Sequence, residues 1–152
     1  MANTQAMCTS FMEELMEGIH NFTTGTGNTF KAALYLASAT YNASTTAYST
    51  TGEVTGAGYT PGGVNVTNGT SPLATNTSVT AGTAYWTPSA SITYTGVTLT
   101  TAFDAVLIYN SSSSNRAVSV HTFGSQTITA GTFTLTMPSN TTSTALIRLA
   151  TT

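Results

Sequence analysis

A chain with three basic and five acidic side chains among 152 residues must build its exterior from something other than charge. Charged residues make up 5% of the sequence, where a soluble domain usually carries about 25%. Ser and Thr, about a third of all residues, supply the polarity instead. Yet 40% of the chain is hydrophobic, more than a disordered stalk would carry. A β-branched Thr suits a pleated surface, so the composition points to a folded β-protein whose outward strand positions are Thr and Ser. One core is sufficient at this length. Folding should leave about 7,000 Å² of surface.

The same deficit excludes several function classes. Lys31, Arg116 and Arg148 are scattered, and duplex nucleic acid or an anionic membrane needs clustered cations. No run of 18 apolar residues occurs, so no transmembrane helix is expected. The opening MANTQAMCTS lacks the charged and apolar regions of a secretory signal, and none is expected. Cys8 is the only cysteine, which leaves the fold to packing. Asn-X-Ser/Thr triplets begin at Asn21, Asn42, Asn65, Asn68, Asn76, Asn110 and Asn140, as chance dictates in so Thr-rich a chain.

Along the chain, one helix is expected near the N-terminus. Ser10 and Glu13 have the spacing of a capping box, and Phe11, Leu15, Ile19 and Phe22 form an apolar stripe ending near 21–25. Glu13, Glu14 and Glu17 are expected on the opposite side, with two acids in the first turn and His20 in the last. From Phe30 the period becomes two. Strands are predicted at 30–36, from Val64, at 84–87, through 92–99, at 103–109, over 118–123, through 128–137 and at 145–150. The stretches 42–63 and 71–80 read as long polar loops, Asn68-Gly69 as a turn, and 110–115 as a hairpin tip. Phase shifts at Gly96 and at Ala130-Gly131 predict bulges. Seven to nine strands argue for an antiparallel β-sandwich or jelly-roll-like barrel. The expected organisation is a single domain, with an arm and helix over 1–28 and the sandwich over 29–152.

Catalytic chemistry is poorly supplied. Asp104, His121 and a serine could be imagined as a triad, but no G-x-S-x-G elbow occurs. His20, His121 and Cys8 share no zinc-ligand spacing, and neither phosphate-loop pattern is present. No enzyme activity, metal or cofactor is expected. Asp104 sits in a strongly apolar strand, either reaching water at an edge or pairing with Arg116 across the hairpin. His121 alternates with Val118 and Val120 and should face solvent or a partner. Tyr41, Tyr48 and Tyr59 lie in Gly- and Ser-rich sequence with little local core to enter. They are candidate contact residues with Phe11, Leu15 and Ile19, either as interface anchors or as a sugar-stacking platform.

The stretches TGEVTGAGYTPGGVNVTN, AYWTPSASITYTGVTLTTAFDAVLIYN and VHTFGSQTITAGTFTLTMPSN, together with CTSFMEELMEGIH and FKAALYLASA, resemble small virion proteins encoded by tailed bacteriophages. The resemblance runs over most of the chain and implies a head cement or decoration protein. Its implied partners are the major capsid protein and further copies of itself, often as a trimer. It further implies synthesis in the host bacterial cytoplasm and residence on the virion head. It assigns no residue a role. The rivals are a phage neck or tail component and a carbohydrate-binding or adhesin module.

Overall fold

The structure, a computed structural model, describes residues 2–75 and 82–151. Among these, eight strands and one helix follow in the order β1 (Ala6–Met7), α1 (Thr9–Met16), β2 (Phe30–Leu36), β3 (Val64–Asn65), β4 (Leu73–Thr75), β5 (Thr83–Trp86), β6 (Ile92–Asn110), β7 (Arg116–Leu135) and β8 (Ile147–Ala150). All pairings are antiparallel. A five-stranded sheet runs β1-β7-β6-β2-β3 and a three-stranded sheet β4-β5-β8, in a sandwich-like arrangement. The accessible surface is 7562 Å², close to the size-scaling value.

The long β6–β7 hairpin is the spine. Its turn-proximal half is apolar on both sides, and Ala105, Val106, Leu107 and Ile108 are wholly buried in the middle of the sheet. Paired residues share a face, so Lys31, Ala33 and Tyr35 of β2 join Tyr109, Leu107 and Ala105 on one side. Phe30, Ala32 and Leu34 join Asn110, Ile108 and Val106 on the other. The segment 42–63 covers the first face, while the N-terminal arm and the small sheet cover the second. The expected bulges are present as register slips after Tyr94 and between Gly131 and Ile128, the latter with Ala130 at a φ of 47°.

The helix is shorter than its apolar stripe suggests. Cys8, extended at a ψ of 138°, is the N-cap and makes no side-chain cap bond; Ser10 lies inside the helix with its hydroxyl unpartnered. The capping box is therefore not formed, and no acid occupies the first turn. Gly18, at a φ of +73°, ends the helix: Ile19 N–H donates to Glu14 O and Gly18 N–H to Leu15 O, a Schellman closure. Ile19 and His20 consequently lie beyond the helix. Glu14 is buried beside Phe11 instead of sharing an outer face with Glu13 and Glu17.

Two readings of loops also change. Asn68-Gly69 makes no hairpin turn; Asn68 accepts from Trp86 Nε1–H at 3.1 Å and donates to Phe22 O at 2.9 Å. Residues Leu73–Thr75 of the expected 71–80 loop form β4, and the remainder of that loop from 76 on lies outside the described residues.

Candidate assembly surface and the polar clusters beneath it

The segment 42–63 looks like an open loop in sequence and is closed by one carboxylate. Glu53, 6% exposed, accepts hydrogen bonds from Tyr48 Oη at 2.7 Å, Tyr59 Oη at 2.7 Å and the Gly62 N–H at 2.7 Å. Three donors satisfy a buried charge that would otherwise be costly. Tyr48 stacks on Tyr109 at 4.7 Å and Tyr41 lies 3.7 Å from Tyr35, centroid to centroid. Tyr41 Oη donates to Thr51 O, and Tyr109 Oη to Gly62 O. Along the free edge of β2, Leu34 N–H donates to Tyr59 Oη, and Leu36 N–H to Gly52 O. The segment thereby protects an edge strand. Gly63, at a φ of +71°, passes so close that a Cβ there would overlap the Ala32 carbonyl oxygen.

These contacts remove the reason for placing Tyr41, Tyr48 and Tyr59 at an interface. Tyr41 is 7% exposed, and the other two are half-buried with their phenols spent on Glu53. Sequence distance hid this, because the core they enter is supplied by β2 and β6. Burial, followed by Glu53, pushes the Tyr59 and Tyr48 phenols well above the usual range, and burial pushes Tyr109 up to about 12.

A second buried cluster fastens the N-terminal arm. Glu14 accepts from Arg116 Nη1 at 2.6 Å and from His20 Nε2 at 2.6 Å, while Asn110 Nδ2 donates to His20 Nδ1 at 3.1 Å. The Asn110 amide is oriented by Ser112 N–H on its Oδ1, and that network assigns the His20 proton to Nε2. Arg116 thus serves Glu14, and the alternative pairing with Asp104 across the hairpin is not made. Asp104, half-buried, accepts from Asn3 Nδ2 at 2.6 Å, and Asn3 Oδ1 accepts the Tyr41 N–H. Phe11 is 0% exposed and packs edge-on to His20 and Phe22, so it too is core rather than contact surface. Leu15 and Ile19 are half-buried.

His121 and Ser119 share the face opposite Val120, as their spacing predicts. Ser119 Oγ lies 2.8 Å from His121 Nε2 in a cavity of about 300 Å³ that Met7, Ile147 and Arg148 also line. His121 is half-buried rather than facing solvent, and burial pulls its pKa down to about 4. A neutral imidazole beside a hydroxyl is the first part of a nucleophile–base pair, but Ser119 is only 3% exposed and Asp104 is held elsewhere. Among the described residues no group of three His, Cys, Asp or Glu side chains could hold a metal. Among these residues no helix is long and apolar enough to cross a membrane. Cys8, 0% exposed, has its thiol pushed up to about 12 by burial and then by Glu14.

A groove of about 460 Å³ runs between α1 and the small sheet, walled by Phe11, Leu15, Phe22, Tyr85, Trp86 and Leu149. The exposed large hydrophobic side chains among the described residues are Met12 at 44%, Met16 at 84%, Leu73 at 46% and Leu149 at 47%. Of these, Leu149 lines the groove, and Met12 and Met16 belong to α1, which forms one of its walls. With Glu14 and Glu53 buried and Asp104 bonded to Asn3, little charge is left to the surface. Comparison with known proteins finds no matching family model, no matching curated protein and no matching solved structure.

Proposed function

We propose that this chain is a noncatalytic structural protein of a tailed-phage head, a cement or decoration protein that bridges neighbouring capsid subunits. The observation that carries the reading is the apolar groove walled by Phe11, Leu15, Phe22, Trp86 and the 47%-exposed Leu149, beside a helix that also exposes Met12 and Met16, on an otherwise hydroxylated, nearly uncharged exterior. Exposed apolar patches rimmed by neutral polar groups mark protein contact surfaces. Such a surface meets the major capsid protein through burial and shape, with no chemistry to perform. Gripping more than one subunit multiplies affinity through effective concentration.

The sugar-binding rival loses its platform, because the rings and phenols of Tyr41, Tyr48 and Tyr59 are engaged within the chain. The test is co-sedimentation with purified, empty heads of the phage that encodes the chain. Saturable binding is expected, weakened about tenfold or more by Met16→Asp combined with Leu149→Asp. Binding to tails and not to heads would move the protein to the neck or tail; binding to neither would end the virion reading.

A further inference from the structure

We infer that Asn68-Gly69 is a latent self-modification site, held closed by the fold, whose conversion to aspartate or isoaspartate unfastens one wall of the groove. Asn-Gly occurs once in the chain, at the pair whose sequence suggests a hairpin turn and whose structure makes none. The chemistry is intrinsic to the pair. The Gly69 nitrogen gives its proton to solvent and attacks Asn68 Cγ; the Cγ–Nδ2 bond breaks, ammonia leaves, and a five-membered succinimide remains. Water then opens that ring. Cleavage between the Gly69 nitrogen and Cγ leaves aspartate, whereas cleavage between that nitrogen and the main-chain carbonyl carbon leaves isoaspartate, with the backbone rerouted through the side chain. The net change is Asn plus water to Asp plus ammonia. Glycine favours the attack, because no Cβ hinders the approach of its nitrogen.

Both reacting groups are tied down. Asn68 Nδ2 donates to Phe22 O at 2.9 Å, and Asn68 Oδ1 accepts from Trp86 Nε1–H at 3.1 Å, a donor shared with Thr70 O at 3.0 Å. Gly69 N–H donates to Ser89 Oγ at 2.9 Å, and Ser89 is itself fixed on Thr67 O through its N–H at 2.9 Å and its hydroxyl at 3.2 Å. Turning the carboxamide onto the nitrogen breaks every bond the pair makes to Phe22, Trp86 and Ser89. Water has access, since Gly69 and Ser89 are exposed and Asn68 is half-buried. The guard is therefore the hydrogen bonds and not burial.

Conversion runs one way. Aspartate has no donor for Phe22 O and sets a charge against it, while isoaspartate adds a main-chain methylene that displaces Gly69 from Ser89. Phe22 and Trp86, with ring centroids 4.7 Å apart, both wall the groove. The residues that lose their clamp are thus the ones that shape it. The site goes beyond the head reading and does not depend on it.

The test is peptide mapping that resolves asparagine, aspartate and isoaspartate at position 68, run on the folded chain and on the chain in urea at the same pH and temperature. Conversion in the folded chain should be slower by about tenfold or more. Ser89→Ala, a change at an exposed side chain, frees the Gly69 N–H and should speed conversion in the folded chain about fivefold. Ser89→Thr keeps the hydroxyl and should restore the wild-type rate. Asn68→Asp should raise acrylamide quenching of Trp86, which is the single tryptophan and 2% exposed. Equal rates in the folded and unfolded chain, no conversion in urea, a Ser89→Ala rate equal to wild type, or unchanged quenching in Asn68→Asp would each overturn the proposal. Head binding is measured separately, so either idea can fail alone.

Discussion

The two faces of the central sheet are closed by opposite means. Segment 42–63 has the composition of a solvent loop and is bound down by Glu53 and a set of tyrosines, each phenol with a partner. Across the sheet, α1 has the pattern of a docking helix and is fastened through Phe11 and Glu14, yet it leaves a groove and two exposed methionines. The difference teaches that polar composition does not mark which side of this molecule stays open. A buried carboxylate closes a loop more completely than an apolar stripe closes a helix.

The comparison breaks most sharply at Glu53. Glu53→Ala leaves three donors unsatisfied and should cost about 3 kcal/mol, lowering Tm by about 6–12 °C in calorimetry. Head binding by the folded fraction should not change. The alkaline limb reads the same face: Tyr35, Tyr59 and Tyr94 have raised folded-state pKa values, so above pH 10 the unfolded chain loses protons first and stability falls as pH rises. Phenolate absorbance should therefore appear together with unfolding.

Next comes the fastening of the arm. Glu14→Ala strands His20 and a 40%-exposed Arg116, and should cost about 2 kcal/mol in urea denaturation. Unlike Glu53→Ala, it should also weaken head binding, because α1 forms one wall of the groove. A smaller effect is confined to acid. Folded His121 takes its proton near pH 4 and an unfolded histidine near 6.5, so the unfolded chain binds more protons between these values and stability drops as pH falls through that window. His121→Gln should remove on the order of 1–2 kcal/mol of that acid loss, measured as the difference in unfolding free energy between pH 7 and pH 4. Smallest of all, Met16→Asp with Leu149→Asp should change stability by about 0.5 kcal/mol or less while carrying the binding defect.

Strand content was legible because Thr and apolar residues alternate locally, and Phe103 to Tyr109 announces its own burial. The bulge at Gly96 was legible for the same reason. The partners of Tyr41, Tyr48 and Tyr59 were not, since Tyr109 lies 61 positions from Tyr48 and only the fold brings them together. Glu53 gave a faint signal as the only acid in an uncharged loop, the kind of residue that either reaches water or gathers donors. Glu14 was misplaced because helical periodicity assigns a face without knowing that Arg116 waits beneath it.

The account rests on adhesion to a shell, and one measurement addresses it directly: the temperature at which DNA-filled heads stripped of this chain release their genome, with and without the purified protein added back. Bound chain should raise that temperature and saturate at a fixed ratio to the major capsid protein. An unchanged release temperature at saturating chain would contradict the account.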